Sequence, residues 1–125
     1  MDESAALGSL INPAAGSRVE KLVQDAVAKG AKVTGGNASF DGAVVQPCVL
    51  EGVRKNMDIY YQESFGPTVS VFEFTTNEEA IRLANDTEFG LVCSVFSENL
   101  QEALAVGRKI RSGSCHINGA TVYGE

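Results

Sequence analysis

Thr68-Val69-Ser70-Val71-Phe72-Glu73-Phe74, then Thr76-Asn77-Glu78-Glu79-Ala80-Ile81-Arg82-Leu83-Ala84, then Leu91-Val92-Cys93-Ser94-Val95-Phe96 read in turn as strand, helix and strand. The first segment is β-branched and aromatic with alternating polarity, and the Gly66-Pro67 turn fixes where it begins. In the second, Thr76 and Glu79 fit a capping box: the threonine hydroxyl accepts from the Glu79 amide and the glutamate reaches back. The third is a continuous apolar run of strand length, which suits a strand buried on both faces.

Downstream, Ser97 or Asn99 can cap a further helix whose buried stripe is Leu100, Ala103, Leu104 and Ile110, and Gly113 ends it before the short strand Ser114-Cys115-His116-Ile117-Asn118. Upstream, Val19, Leu22, Val23, Ala26 and Val27 form one stripe of an amphipathic helix between Asn12 and Gly30, with Ser17 able to cap it and Gly30 to stop it. Ala31 to Gly36 then reads as a strand entering a Gly-Gly turn, and Asn37 to Gly42 as a loop. Ala43 to Leu50 is strand-like, but Pro47 cannot donate to a ladder, which makes it an edge strand. The order α-β-β-β-α-β-α-β implies an α/β fold: a three-layer, open and mostly parallel sheet with right-handed crossovers and helices on its faces.

Composition excludes several classes. A chain of 125 residues with 44% hydrophobic content can bury one core, so a single domain is expected. No apolar run approaches the roughly 18 residues of a spanning helix, so no membrane is expected. Ten Lys and Arg against sixteen Asp and Glu give a net charge of −6, which repels phosphate backbones and argues against a nucleic-acid partner. Cys48, Cys93 and Cys115 are odd in number and widely spaced, giving neither a disulfide framework nor a metal motif, so a reducing compartment, the cytoplasm, is expected. The acidic start Met1-Asp2-Glu3-Ser4 has neither the apolar region of a secretory signal nor the arginines of a transit peptide.

Gln62-Glu63-Ser64-Phe65-Gly66-Pro67 stands out, because loops at strand ends collect binding residues. Glu63 could accept hydrogen bonds from two sugar hydroxyls and Phe65 could offer a flat face to a ring; the alternative is an exposed Glu beside a core Phe. His116 beside Cys115 invites a thiolate–imidazole reading, but consecutive strand residues point to opposite faces and cannot share a proton. Gly35-Gly36 lacks the remainder of any phosphate-binding loop. Asp25 and Lys29 are an ordinary helical i,i+4 pair.

Taken in order, Leu7-Gly8-Ser9-Leu10-Ile11-Asn12, the segment Val23 to Gly36, Gln46-Pro47-Cys48-Val49-Leu50, Gln62 to Pro67, Glu78 to Asn85, Phe89-Gly90-Leu91-Val92 and Ser112 to Asn118 resemble a middle-to-late part of the catalytic domain of the aldehyde dehydrogenase superfamily. The Cys-His-Ile-Asn-Gly-Ala-Thr-Val tail looks most like members acting on aromatic aldehydes such as salicylaldehyde, benzaldehyde or vanillin. The resemblance implies NAD- or NADP-dependent oxidation of an aldehyde to its acid through a cysteine thioester. It places the ribose-holding carboxylate at Glu63, the aromatic against the nicotinamide ring at Phe65, a loop-bonding asparagine at Asn118, and the aldehyde entrance at Thr121 and Tyr123. Gln62 replaces a usual Glu.

None of the three cysteines aligns with the family nucleophile, which lies, with the general-base glutamate and the cofactor domain, before the matching region. The chain is therefore expected to be one partial catalytic domain, residues 1–125, inactive alone and part of a homo-oligomer. A second reading is a non-catalytic association module, since a sheet cut from its neighbours leaves unpaired edges.

Overall fold

The computed structural model describes residues 7–122, and the chain divides into two units, one up to Phe72 and one from Glu73. The first unit is organised on α1 (Pro13–Ala28). Asn12, not Ser17, caps it: its side chain accepts the Ala15 amide at 2.9 Å, and Pro13 takes the first helical position, where its missing N–H costs nothing. Ser17 lies a turn inside the helix. At the other end Gly30, at φ +104°, closes a Schellman motif in which its amide bonds Val27 and the Ala31 amide bonds Ala26. The Asp25–Lys29 pair forms at 2.6 Å, and Asp25 also accepts the Asp58 amide at the start of a 3-10 turn, Asp58–Tyr60.

Among the described residues, seven strands and three α-helices give the expected α/β class. β1 (Lys32–Gly36), β4 (Cys48–Glu51) and β5 (Thr68–Val71) make a sheet in the order β1-β4-β5, antiparallel then parallel. The Gly35-Gly36 pair is inside β1 and not in a turn: the register shifts between Val33 and Gly35, and a side chain on Gly36 would run into the Pro47 carbonyl. The loop expected after it holds a small hairpin, β2 (Phe40–Asp41) with β3 (Val44–Val45). The single edge strand expected over Ala43 to Leu50 is two strands. Pro47 separates β3 from β4, and β4, starting after the proline with every amide available, pairs on both sides and is central.

The core of this unit is the inner face of α1 (Val19, Val23, Ala26) against Cys48 and Leu50 of β4, closed by Ala31, Val45, Val53 and Met57. Leu50 and Val19 are completely buried, each contributing about 1.5–3 kcal/mol by area.

In the second unit β6 (Val92–Val95) and β7 (Ser114–Ile117) pair in parallel, Val92 opposite Ser114 through Val95 opposite Ile117, joined by the expected helix α3 (Leu100–Gly107). It ends at Gly107 with Arg108 as its cap, short of the expected stop at Gly113, so that Ile110 lies beyond it. Asn99 is the cap of α3, accepting the Gln101 and Glu102 amides. α2 (Asn77–Ala84) starts with Thr76 accepting the Glu79 amide at 3.2 Å, and the Glu79 carboxylate reaches back to the amide and hydroxyl of Thr75. The connection from β5 through α2 does not make β5 and β6 partners. A helical crossover fixes the hand of a connection, not adjacency, and the two strands belong to different sheets.

Burial also differs from the pattern: β6 is half-buried throughout, and Leu100 and Leu104 face solvent while Ala103 and Gly107 are buried. Small residues sit at the contact because α3 lies close on the sheet.

Gly16 abuts the β2–β3 turn, where an added Cβ would lie 1.8 Å from the Gly42 carbonyl oxygen. Gly16→Ala is therefore expected to lower unfolding free energy by about 1–3 kcal/mol, read from the urea midpoint.

Lys29 holds the Asp25 carboxyl below its ordinary value, with help from the Asp58 amide, and the Thr75 amide and hydroxyl do the same for Glu79. A carboxyl lowered in the folded state adds stability that is complete above its unfolded value, about pH 4, and is lost as pH falls through the lower folded value. Urea midpoints are expected to be flat from about pH 8 to 6 and to drop from about pH 5 to 3, with a shallower drop in Asp25→Asn.

Candidate functional site

The loop Gln62 to Pro67 runs from the 3-10 turn into β5, and α1 holds it in two ways. The Arg18 guanidinium donates through Nη1 to the Glu63 carbonyl and through Nη2 to the Ser64 carbonyl, the latter at 2.6 Å, so one planar fork fixes two consecutive peptide units. One residue along the helix, Val19 packs against Gly66, where a Cβ would stand 2.6 Å from a valine methyl. Only glycine lets the loop lie this close. Past it the Pro67 carbonyl accepts the Cys48 amide at 3.0 Å, and the chain joins the sheet beside β4.

Held at both sides, the loop turns Phe65 into the left-handed region at φ +48° and leaves the residue 74% exposed. That removes the core-plug alternative for Phe65. A bulky side chain in this backbone conformation costs on the order of 1–3 kcal/mol, and strain of this kind collects at ligand clamps. Glu63, two residues earlier, is also exposed, and only its backbone carbonyl is taken up by Arg18. The loop thus presents a carboxylate and an aromatic face to solvent on one rigid support.

The other predicted pair lies in the second unit. Thr121 is exposed in the bend after β7; Tyr123 lies outside the described residues. The bend is set by Asn118, at φ +52°, whose side chain accepts the Ser97 amide at 2.9 Å and donates to the Ser97 carbonyl at 3.0 Å. This two-point bond between the ends of β6 and β7 is the loop-bonding role expected of Asn118, and Ser94 donating to the Gly119 carbonyl at 2.8 Å adds a third tie.

Cys48 is buried in the core, where desolvation pushes its thiol up, and Cys115 is raised by its hydrogen bond to Cys93 and then by burial, so neither has the lowered pKa of a catalytic nucleophile. Among the described residues no three His, Cys, Asp or Glu side chains gather as metal ligands, and no helix is long and apolar enough to cross a membrane. A cleft of about 350 Å³ is lined by residues including Asn85, Glu88, Phe89 and Arg111, but Arg111 is spent on the Asn85 and Thr87 carbonyls. Sequence reasoning missed Arg18, the residue that fixes the loop. It stands 45 positions from Glu63, and nothing local marks it.

Relief of the Phe65 strain is measurable. Phe65→Gly is expected to raise the unfolding free energy by about 1 kcal/mol, since the exposed ring gives up little packing, seen as a higher urea midpoint. A lower midpoint would mean that the ring, and not the backbone, carries the energy at this position.

The pattern of the aldehyde dehydrogenase family matches residues 1–125. A vanillin dehydrogenase of Pseudomonas fluorescens is 44% identical over 124 residues, 99% of this chain and 26% of its own length. The crystal structure of a salicylaldehyde dehydrogenase from Pseudomonas putida G7, complexed with salicylaldehyde, superposes with a TM-score of 0.88 at 42% identity, covering 95% of this chain and 24% of that one. A succinic semialdehyde dehydrogenase from Streptococcus pyogenes in complex with NADP+ superposes equally well, with a TM-score of 0.88 at 35% identity over 98% of this chain and 28% of its own. The chain thus spans about a quarter of the length of the relatives it matches. Over that span both sequence and fold agree, and the chain belongs to the aldehyde dehydrogenase family.

Proposed function

We propose that this chain supplies part of the nicotinamide site of an NAD- or NADP-dependent aldehyde dehydrogenase, an oxidoreductase converting an aldehyde, with aromatic aldehydes as the substrate class, to its carboxylic acid. The observation that carries the reading is the Arg18-clamped loop, which offers the Glu63 carboxylate and the strained, exposed Phe65 ring two residues apart. A carboxylate accepts from two vicinal hydroxyls, and an aromatic face packs on a flat heterocycle, so this pair fits a ribose joined to a nicotinamide. When bound, that group supplies the hydride acceptor. The chain's own residues hold and orient it: Glu63 fixes the sugar, Phe65 the ring, and Arg18 keeps both from moving.

Thr121 and Tyr123 belong in this reading to the aldehyde entrance, where a tyrosine suits a flat substrate. Similarity to vanillin and salicylaldehyde dehydrogenases supports the aromatic class. With no cysteine here suited to attack, the isolated chain is expected to be inactive. A cytoplasmic setting fits three free cysteines.

A second reading, association with further protein including a homo-oligomer, is favoured by one observation. Leu91 and Phe96, flanking β6, are 85% and 70% exposed, and Phe74 and Leu100 are open as well.

The test is a graft of this chain into the P. putida salicylaldehyde dehydrogenase in place of the matching quarter. The graft is expected to oxidise salicylaldehyde with NAD or NADP, and Glu63→Gln within it to raise the cofactor KM about ten-fold, the loss of one charge-assisted hydrogen bond. The isolated chain should give no reduced cofactor with benzaldehyde. An active graft whose cofactor KM is unmoved by both Glu63→Gln and Phe65→Ala would remove the site assignment.

A further inference from the structure

Cys93 and Cys115 are far apart in sequence but directly opposite each other in the β6–β7 register. Neighbouring strands run roughly 4.8 Å apart, which lies inside the span of Cα separations that a disulfide bridges, roughly 4.4–6.8 Å. The two side chains also lie on the same face of the sheet, because residues paired directly across neighbouring strands share a face. Gly107 of α3 leaves the room that the Cys115 sulfur occupies: a Cβ there would come within 2.9 Å of it.

A directed chain of hydrogen bonds continues from the pair. Ser112 Oγ donates its one hydrogen to the Ser114 carbonyl at 2.9 Å, so the contact of 3.1 Å between Cys93 Sγ and Ser112 Oγ has Cys93 as donor. Cys93 is half-buried and Cys115 exposed, so a small oxidant can reach them, whereas Cys48 is sealed in the core of the other unit.

We propose that Cys93 and Cys115 form a vicinal dithiol site that closes to an intrachain disulfide under a hydroperoxide, tying β6 to β7. Two S–H bonds break and one S–S bond forms. The sulfurs together give up two electrons, which cleave the O–O bond, and with hydrogen peroxide the two thiol protons leave in two molecules of water. One sulfur attacks the peroxide to give a sulfenic acid and one water; the second displaces the hydroxyl as the other water. Raised as it is by its bond to Cys93, the Cys115 thiol makes the site slow compared with a sensor cysteine of low pKa. The tie would lie in the strand whose exit carries Asn118 and Thr121.

The experiment is mass spectrometry of the full chain after native treatment with hydrogen peroxide and alkylation of remaining thiols. The expected result is a loss of two hydrogens from the intact mass, one alkylated cysteine, and a linked pair of tryptic peptides, Leu83–Arg108 with Ser112–Glu125, reversed by dithiothreitol. Cys48→Ser should leave the link intact, and Cys93→Ser and Cys115→Ser should each abolish it. In urea, where the register is lost, the link should form at least ten-fold more slowly relative to links through Cys48. Native oxidation that yields only sulfinic acids, intermolecular dimers or links through Cys48 would overturn the proposal, and this readout needs no variant to fold.

Discussion

One face of α1 sets the first unit. Gly16, Val19 and Val23 follow one another along it, and each meets a different part of the chain: the hairpin turn at Gly42, the loop at Gly66, and the core beneath β4. Two of the three contacts need glycine on one side, so backbone approaches backbone or methyl at distances no Cβ would allow. Beside Val19, Arg18 turns the same helix into a clamp on the loop carbonyls. The geometry of Glu63 and Phe65 therefore depends on packing a helix turn away, and the strain at Phe65 persists because its neighbours are fixed on both sides.

That dependence explains what could be read from the sequence and what could not. Local chemistry was legible: the stripe of α1 except for the exposed Val27, the stop at Gly30, the Thr76–Glu79 cap and the strand–helix–strand order that pairs β6 with β7. Choices among equivalent local signals were not. Asn12 and Ser17 are both capping residues, and the choice fell to the one followed directly by proline. Pro47 signalled an edge, but it marks the gap between two strands, because a missing amide at one position leaves β4 free to pair on both sides. Leu100 and Leu104 fit a helical stripe, yet small Ala103 and Gly107 make the contact.

For the site, composition and spacing alone favoured a surface acid beside a core ring over a ligand pair at Glu63 and Phe65. The family resemblance suggested their roles, and the structure added one physical fact, an exposed Phe65 on a left-handed backbone. Arg18 was invisible because a donor fork acting on backbone carbonyls 45 residues away needs no particular residue at the receiving end.

The two units carry their apolar surface differently, and this bears on how such a segment works. The first closes a core around Leu50, Val19 and Met57, enough to support a strained loop. In the second, Ala103 is the one buried apolar side chain among the described residues, while Leu91, Phe96 and Leu100 face out; its order comes from polar ties, Asn77 to Glu102, Asn85 to Lys109 and Arg111, and Asn118 to Ser97. Exposed hydrogen bonds of this kind each contribute about 0.5–1.5 kcal/mol and fix direction better than they supply stability. A unit built this way holds the exit of β7 in a defined direction and leaves Leu91, Phe96 and Leu100 exposed. In the proposed reading, with Thr121 at the aldehyde entrance and further protein over the exposed face, both properties have a use.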